Sequence, residues 1–303
     1  MQTIIYLIAL YNTDKYIEAT IDSVMASFQY AKDKNPDINT YLIIRNDGST
    51  DLSKEKVQNK IKEYNNIFLF NNDKNIGLLE TRRNLFIDAD NLVKDKNIIN
   101  HQDIYLSIID SDDICIESRV FNQLITLSED PTLTGCGGQV LLFQEDPTST
   151  YNPIGILSQY KTNYDEIKVD SIFQSSALTP TMSFRYDWIK YRLDNLDRKD
   201  WWANVTMGED WAAIVDFMGE KNFKYKHTND VVLLYRRHEQ SMTSTVTDGI
   251  DTEQAKIRKK ALSYINLDLS KEEHLLLITI SPCRHWGIYN IDFFQNIKKI
   301  FIY

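Results

Sequence analysis

Cysteine is scarce in this sequence, and the few cysteines present form no recognisable site. Cys115, Cys136 and Cys283 are widely separated, odd in number and without the spacing of metal ligands. This pattern excludes a disulfide framework and a cysteine-based zinc site, and it fits a reducing compartment. We expect all three to be packing residues.

A long apolar run is also missing. No stretch approaches the roughly 20 apolar residues that a membrane-spanning helix needs, and the first residues, Met1-Gln2-Thr3, carry no basic leader. We therefore expect a cytoplasmic chain. The segment from Asp292 to Tyr303 mixes Phe and Ile with Lys298 and Lys299. It could dock on its own protein, which we favour, on a second copy in a homodimer, or peripherally at a membrane.

Positive charge is the third shortage. The chain has 34 Lys and Arg against 43 Asp and Glu, a net charge of −9 and a pI near 5.1. Nucleic-acid binding needs clustered Lys and Arg to neutralise phosphates, so we expect no nucleic-acid partner. Any anionic ligand must be met by a few local residues.

An apolar strand that ends in carboxylates stands out against this background. The run from Ile104 to Ile109 is followed directly by Asp110-Ser111-Asp112-Asp113. A run that is apolar on both faces is typical of a central parallel strand, and such sheets bind ligands at the carboxyl ends of their strands. Crowded carboxylates repel one another unless a cation lies among them, and their oxygens suit Mg²⁺ or Mn²⁺. The alternative is an acidic turn that caps a helix starting near Glu117.

The first half of the chain alternates strands with helices. Apolar runs occur at residues 4–10, 41–44, 67–70 and 104–109, and stretches with helical patterns separate them. This alternation predicts an α/β fold with right-handed βαβ units and a parallel sheet. Asn12 or Thr13 is the expected cap of the first helix.

The alternation of strand and helix patterns does not continue in the second half of the chain. We expect a strand over residues 135–143, then a long loop region with short ordered pieces from Gln144 to Ser175. Two short strands are expected between Lys224 and Tyr235, and helices from about Thr252.

Several local patterns stand in a fixed order at the predicted strand ends and helix starts. They are Ala9-Leu10-Tyr11-Asn12, Asn46-Asp47-Gly48-Ser49-Thr50-Asp51, Asn75-Ile76-Gly77 with Arg82, Asp110-Ser111-Asp112-Asp113, Gly208-Glu209-Asp210-Trp211, and Tyr235-Arg236-Arg237-His238-Glu239-Gln240-Ser241-Met242-Thr243. Together they resemble the family 2 glycosyltransferases, which are inverting nucleotide-sugar enzymes of the GT-A fold. The chain departs from the family at Ala9, where Pro is usual, and at Arg83, where Asn is more common.

The resemblance covers about Ile4 to Thr243 and implies a GT-A fold with a Rossmann-like, mostly parallel sheet flanked by helices and a mixed acceptor-side half. It implies a domain at 1–243, with a nucleotide-binding half at 1–113 and an acceptor-binding half at 114–243. Residues 244–303 would form a C-terminal helical extension.

The resemblance also implies a site for a nucleotide-sugar donor. Asp47 would accept an N–H of uracil, which makes a UDP-sugar the expected donor; the alternative is that Asp47 only forms an Asx-turn. Either Arg82 or Arg83 would face the nucleotide. The residues expected to contact the donor are Tyr11, Asn12, Asp47, Arg82, Asp110, Ser111, Arg236 and Arg237.

For the metal, the resemblance implies Asp112 as the direct ligand of Mn²⁺ or Mg²⁺. Asp110 would meet the ribose or a metal-bound water, and His238 would close the site. Such ions keep few protein ligands and take other oxygens from substrate phosphates.

The reaction also needs a base near the acceptor hydroxyl, which would belong to a glycan, a lipid-linked molecule or a protein. Asp210 stands at the family's catalytic position and Glu209 is the next candidate, although both could merely complement a helix dipole. Trp201, Trp202 and Trp211 could stack on sugar rings, although Trp211 could equally belong to the core.

Two other functions compete with glycosyl transfer. A nucleotidyltransferase would be expected to have a glycine-rich, basic phosphate loop, which residues 9–15 lack. A non-catalytic protein that binds sugar nucleotides or glycans is disfavoured because the metal, base and nucleotide positions are all filled.

Overall fold

A computed structural model of the chain describes residues 1–145, 151–158, 160–197, 208–238, 250–264 and residue 270. Its strands are β1 Thr3–Leu10, β2 Asn39–Asn46, β3 Ile67–Asn71, β4 Ile104–Ile108, β5 Ile114–Cys115, β6 Gly135–Glu145, β7 Tyr151–Ser158, β8 Ser183–Arg185 and β9 Tyr225–Arg236. Its helices are α1 Ile17–Lys34, α2 Ser53–Glu63, α3 Leu78–Asp95, α4 Arg119–Glu129, α5 Tyr164–Phe173, α6 Tyr186–Asn195, α7 Glu209–Met218 and α8 Ile250–Ser263. Short 3-10 turns at His101–Asp103 and Thr179–Thr181 precede β4 and β8.

Four parallel strands make up the first half of the sheet, in the spatial order β3-β2-β1-β4. The side chains of β1 alternate between two apolar layers: Ile5 and Leu7 lie in the layer that contains α3, and Tyr6 and Ile8 in the layer that contains α1. Each fully buried side chain of this size contributes about 1.5–3 kcal/mol to folding. The predicted parallel sheet covered on both faces is confirmed.

The second half of the sheet is mixed. β8 pairs antiparallel with β4 and with β6, β6 runs parallel to β9, and β7 pairs antiparallel with β6. The two-residue strand β5 pairs antiparallel with β9, with Ile114 opposite Leu234. Continuing this register beyond the ladder sets Asp112 opposite Arg236. The end of β9 is thereby brought to the acidic loop that follows β4.

The long loop expected from Gln144 to Ser175 is wrong as a description of this region. The chain instead forms β7, paired with β6, and then α5. Pro153 is tolerated because β7 lies off the main path of the sheet with only one pairing partner among the described strands. Helix α5 begins after Asn163, whose Oδ1 accepts hydrogen bonds from the backbone of Asp165 (2.9 Å) and Glu166 (3.4 Å).

The two short strands expected between Lys224 and Tyr235 are one strand, β9. The pair Asn229-Asp230 is typical of a turn, but the ladder with β6 shifts register between Gly137 and Gln139 and again before Val140. An irregularity of this kind absorbs extra residues without ending the strand.

The expected side-chain cap of the first helix is also wrong. Helix α1 starts at Ile17, and the N-cap residue is Tyr16, which makes no side-chain capping bond. The Asn12 side chain accepts a hydrogen bond from Thr50 N (2.8 Å), and the Thr13 hydroxyl donates to Ser111 Oγ (3.0 Å). Both are used to fasten loops at the ligand end of the sheet.

Helix α8 lies within the segment where C-terminal helices are expected. The apolar tail from Asp292 to Tyr303, with its predicted docking, membrane or dimer contact, lies outside the described residues, as do Cys283, Trp201 and Trp202. Among the residues described, no helix is both long and apolar enough to cross a bilayer. The domain boundaries stay a prediction.

Candidate active site

Asp113 anchors the acidic loop after β4, which consists of Asp110-Ser111-Asp112-Asp113. This side chain is buried, and its Oδ1 accepts a hydrogen bond from Arg236 N (2.9 Å), while Thr20 Oγ1 donates to its carbonyl (2.8 Å). Burial raises the pKa of Asp113 well above its usual range, and the Asp112 and Asp110 carboxylates add to the shift. Asp113 therefore anchors the loop that carries Asp110 and Asp112.

Arg82 links the acidic loop to the start of α7. Its side chain is 2% exposed, Nη2 donates to Asp110 Oδ1 at 2.8 Å, and Nη1 lies 3.8 Å from Glu209 Oε1. Burial raises the pKa of Asp110, and the Arg82 guanidinium opposes that rise. Arg82, and not Arg83, is thus the arginine that faces the candidate site.

Asp112 and His238 form a pair at the same edge. Asp112 Oδ2 lies 3.0 Å from His238 Nε2, and the two side chains are 24% and 15% exposed. The ring of Tyr16 lies beside that of His238, with centroids 4.8 Å apart. No group of three or more His, Cys, Asp or Glu side chains forms a complete metal site in the described part of the chain. The pair fits a divalent ion that takes its other ligands from substrate or water.

The two arginines before His238 differ in their surroundings. Arg236 is buried; its Nε donates to the carbonyl of Asp112, and its guanidinium lies over the rings of Tyr16 and Phe143. Arg237 is exposed and its backbone N–H donates to Phe143 O (3.0 Å). Arg236 supports the acidic loop, and Arg237 is the one that reaches solvent at this edge.

Asp47 connects the loop after β2 to the loop before α3. It is 3% exposed, and its carboxylate accepts hydrogen bonds from Asn72 Nδ2 (2.8 Å), Ile76 N (2.9 Å) and Gly77 N (3.0 Å). A carboxylate has about four acceptor positions, so these three bonds leave one unused. Gly48 sits at φ +69°, and a Cβ there would be only 2.7 Å from Asn75 N, so only glycine fits between the two loops.

The tip of β1 lies beside these loops. Tyr11 is 46% exposed, and Asn12 adopts φ 51°, with its N–H donating to Ser49 Oγ (3.2 Å). Ser111 is buried against Thr13 through the bond between their hydroxyl groups. Tyr11 and Asn12 are thus placed at a ligand-accessible edge, whereas Ser111 serves the packing between loops.

Asp210 lies in the first turn of α7 with a strongly shifted titration. Its Oδ1 accepts a hydrogen bond from Thr179 N (2.9 Å). Burial, followed by the neighbouring Glu209 carboxylate, raises the pKa of Asp210 to about 7, against the opposing effect of Arg82. A carboxylate with this pKa can accept a proton near neutral pH. The next residue, Trp211, is buried with Nε1 donating to Ser171 O (2.6 Å), so it belongs to the core and not to a sugar-binding surface.

Comparison with known proteins decides the family. The family model of Glycosyl transferase family 2 matches residues 6–191, which is more than half of the chain. The chain belongs to this family. It is therefore a glycosyltransferase, and its mostly parallel sheet flanked by helices, continued by a mixed half, is similar to that of GT-A glycosyltransferases.

Individual relatives are distant. A dolichyl-phosphate beta-glucosyltransferase of Trichomonas vaginalis is 35% identical over 71 residues, which is 23% of this chain and 22% of that protein. S. aureus TarS in complex with UDP-GlcNAc is 14% identical, with a TM-score of 0.54 over 92% of this chain and 70% of that one. The mannosyltransferase PcManGT from Pyrobaculum calidifontis, in complex with GDP-Man and Mn2+, is 12% identical, with a TM-score of 0.53 over 98% of this chain and 78% of that one. The two structures share the fold.

The sequence did not predict how three residues of the candidate site contribute to it. Thr179 holds Asp210 through a backbone N–H, which any residue type supplies, so no sequence signal marks it. Tyr16 lies against both Arg236 and His238, and only its position one residue before α1 could have indicated it. Asp113 was part of the acidic pattern, but its burial could not be read from the pattern.

Proposed function

We propose that this glycosyltransferase moves a sugar from a nucleoside diphosphate sugar to an acceptor hydroxyl with inversion, in a metal-dependent reaction. The observation that carries the proposal is the proximity of two different sets of groups. The Asp112–His238 pair offers ligands for an ion, and Asp210 offers a base with a pKa of about 7. Arg82 connects the acidic loop that carries Asp112 to the start of α7, which carries Asp210.

The proposed step transfers one proton and exchanges one bond. The acceptor oxygen forms a bond to the anomeric carbon as the bond from that carbon to the diphosphate oxygen breaks, and the nucleoside diphosphate leaves. Thr179 N occupies Oδ1 of Asp210, so Oδ2 takes the hydroxyl proton. The exposed Arg237 adds positive charge on the side of the leaving diphosphate.

Asp112 and His238 would hold the divalent ion. When bound, the ion would stabilise the negative charge that builds on the leaving diphosphate. A carboxylate with an imidazole is a less uniformly hard ligand set than oxygens alone, which favours Mn²⁺ over Mg²⁺. A manganese ion is present in the complex of PcManGT, which supports divalent metal use in this fold.

The function can be tested by a screen of UDP-, GDP- and dTDP-sugars with Mn²⁺, with Mg²⁺ and with a chelator. We expect metal-dependent binding and slow donor hydrolysis for at least one UDP-sugar. A nucleotidyltransferase would instead release pyrophosphate from a nucleoside triphosphate and a sugar phosphate. Failure of every sugar nucleotide to bind with either ion would overturn the proposal.

The proposal of a uridine nucleotide rests on Asp47. The related structures do not distinguish uridine from guanosine, because one holds UDP-GlcNAc and another GDP-Man. Asp47→Ala should weaken UDP binding by at least about tenfold in calorimetry with Mn²⁺, since one charge-assisted hydrogen bond is worth ~1.5–3 kcal/mol.

Asn72→Ala is the matched control, because Asn72 makes one of the three bonds that occupy Asp47 but has no proposed contact with the base. It should affect UDP affinity far less. Equal losses of UDP and GDP affinity in Asp47→Ala would show that Asp47 supports the loop at Ile76 and Gly77 without reading the base.

A further inference from the structure

Helix α8 packs along the full length of α7, the helix that begins with Glu209 and Asp210. At the start of α7, a Cβ on Gly208 would lie 3.4 Å from Ile257 Cδ1. Near the end of α7, Lys260 forms an ion pair with the buried Asp216, and the ring of Tyr264 lies against Gly219 so closely that a Cβ there has no room. Among the side chains of α8 that the structure describes, the buried ones are Ile257, Arg258, Ala261 and Leu262.

Arg258 is the polar one among these buried side chains, and it is 0% exposed. Its Nε and Nη2 donate to the carbonyls of Ile172 (3.2 Å) and Phe173 (3.3 Å) at the end of α5. The last carbonyls of a helix have no partner within the helix, so these bonds close the end of α5. The guanidinium also lies 5.1 Å from the centroid of the Trp211 ring.

Trp211 completes the same junction from the other side. Its Nε1 donates to Ser171 O, the carbonyl just before the two that Arg258 engages. The last turn of α5, the first turn of α7 and the middle of α8 therefore meet at one indole and one guanidinium. Asp210 is the residue directly before that indole, and Gly208, the N-cap of α7, provides no side-chain cap of its own.

We infer that α8 is a positioning element of the catalytic turn, and that Arg258 acts through Trp211 to hold Asp210 in its reactive place. The inference rests on the proposed role of Asp210 as the base. A base must lie within hydrogen-bond reach of the proton that it removes. A displacement of about 1 Å caused by a change far from the chemistry can cost about 10²-fold in rate.

The test compares substitutions at the two ends of the α7–α8 contact in the full chain. Arg258→Met keeps the length and the apolar volume but removes the donors and the charge, whereas Arg258→Lys keeps the charge without the planar fork. Lys260→Met is the matched control, because it removes a cation of α8 that contacts the far end of α7. Steady-state kinetics would be combined with hydrogen exchange of the peptide over residues 208–214.

Arg258→Met should lower kcat by about 10–100-fold with the donor KM within about 3-fold, and Arg258→Lys should recover part of the loss. Its 208–214 peptide should exchange faster. Lys260→Met should lower Tm but leave kcat within about 2-fold and the 208–214 peptide protected. Equal kcat in Arg258→Met and Lys260→Met, with equal exchange of that peptide, would overturn the inference.

Two further measurements distinguish the proposed positioning role from misfolding of the variant and from failure of the proposed function. If Arg258→Met fails to fold, Trp211→Phe keeps an aromatic ring at this place but removes the bond to Ser171 and the second ring of the indole, and it should show the same fall in kcat at constant KM. If the wild-type chain transfers no sugar, the proposed function fails, while the exchange of residues 208–214 still decides whether Arg258 positions the turn.

Discussion

Replacement of Asp210 by Asn should lower the turnover of this glycosyltransferase by about 10²–10⁴-fold, the range typical of acid–base catalysis, with nucleotide binding unchanged. Asn has the same size and can still accept the hydrogen bond from Thr179 N, but it cannot take a proton from the acceptor. Steady-state rates and UDP titrations on a single preparation should show a fall in kcat with the donor KM and the UDP Kd preserved.

The pH dependence provides a second measurement on the same variant. Wild-type transfer should fall as the pH drops below about 7, because burial and Glu209 raise the pKa of Asp210 to about 7 and the protonated acid cannot act as a base.

The raised pKa of Asp210 also means that ionisation of this side chain costs the folded state more free energy than the unfolded state. The contribution of Asp210 to stability should therefore decline between about pH 4 and pH 7, and Asp210→Asn removes this contribution. The variant should melt above the wild type at pH 8 and together with it near pH 4.

Glu209→Gln is the natural control, because Glu209 lies beside Asp210 and faces Arg82. It should retain more transfer activity than Asp210→Asn. Near-normal transfer by Asp210→Asn together with loss in Glu209→Gln would assign the base to Glu209. A helix-dipole role alone would instead change stability by about 1 kcal/mol and leave transfer intact in both variants.

Asp112→Asn should abolish both transfer and metal-dependent nucleotide binding. The substitution keeps the size of the side chain but removes the negative charge that a divalent ion needs. The neutral imidazole of His238 alone should not hold the ion. Calorimetry with UDP, with and without Mn²⁺, should show that the wild-type difference between the two titrations disappears.

His238→Gln should lower transfer and metal-dependent nucleotide binding less than Asp112→Asn does, since the negatively charged ligand Asp112 remains. Asp230→Asn controls for the loss of one negative charge, because Asp230 is an exposed carboxylate on β9, the strand that leads to His238. It should bind UDP and metal like the wild type. Full activity of Asp112→Asn in chelator-treated buffer would refute the metal hypothesis.

The parallel half of the sheet was predictable because its information is local. β1, β2 and β4 are each apolar on both faces, and each is followed by polar loop residues and a helical pattern, so strand, orientation and ligand edge follow from short stretches. The same reasoning located the loops that carry Asp47 and Asp112 and the helix start that carries Asp210. Their roles in binding and catalysis stay predictions.

The mixed half was not predictable because its strands form through partners distant in sequence. β5 has only two residues and exists because it pairs with β9. β7 contains Pro153 and Gly155 and takes its conformation from β6. β9 was predicted as two short strands, because the register shift that lets it continue past Asn229-Asp230 lies in the contact with β6. Tertiary pairing outweighs local propensity in each case.

The contacts of Arg82 in the candidate site were also not predictable from local sequence. A helix arginine four residues into α3 reads as a candidate phosphate contact, but only the fold shows that it bridges Asp110 and Glu209. The contact depends on how closely the acidic loop and α7 approach the buried side of α3, and none of these segments carries that information alone.

The shared position of Arg82 has a consequence for the engineering of donor and acceptor specificity. One guanidinium serves a carboxylate from each half of the chain, so substitutions at positions 110 and 209 would not act independently, and their effects should be non-additive. A chimaera that joins residues 1–113 of one relative to the remainder of another takes the residues at positions 82 and 110 from one parent and the residue at position 209 from the other. We expect such a hybrid to recombine specificities only if the residues at positions 82, 110 and 209 come from the same parent.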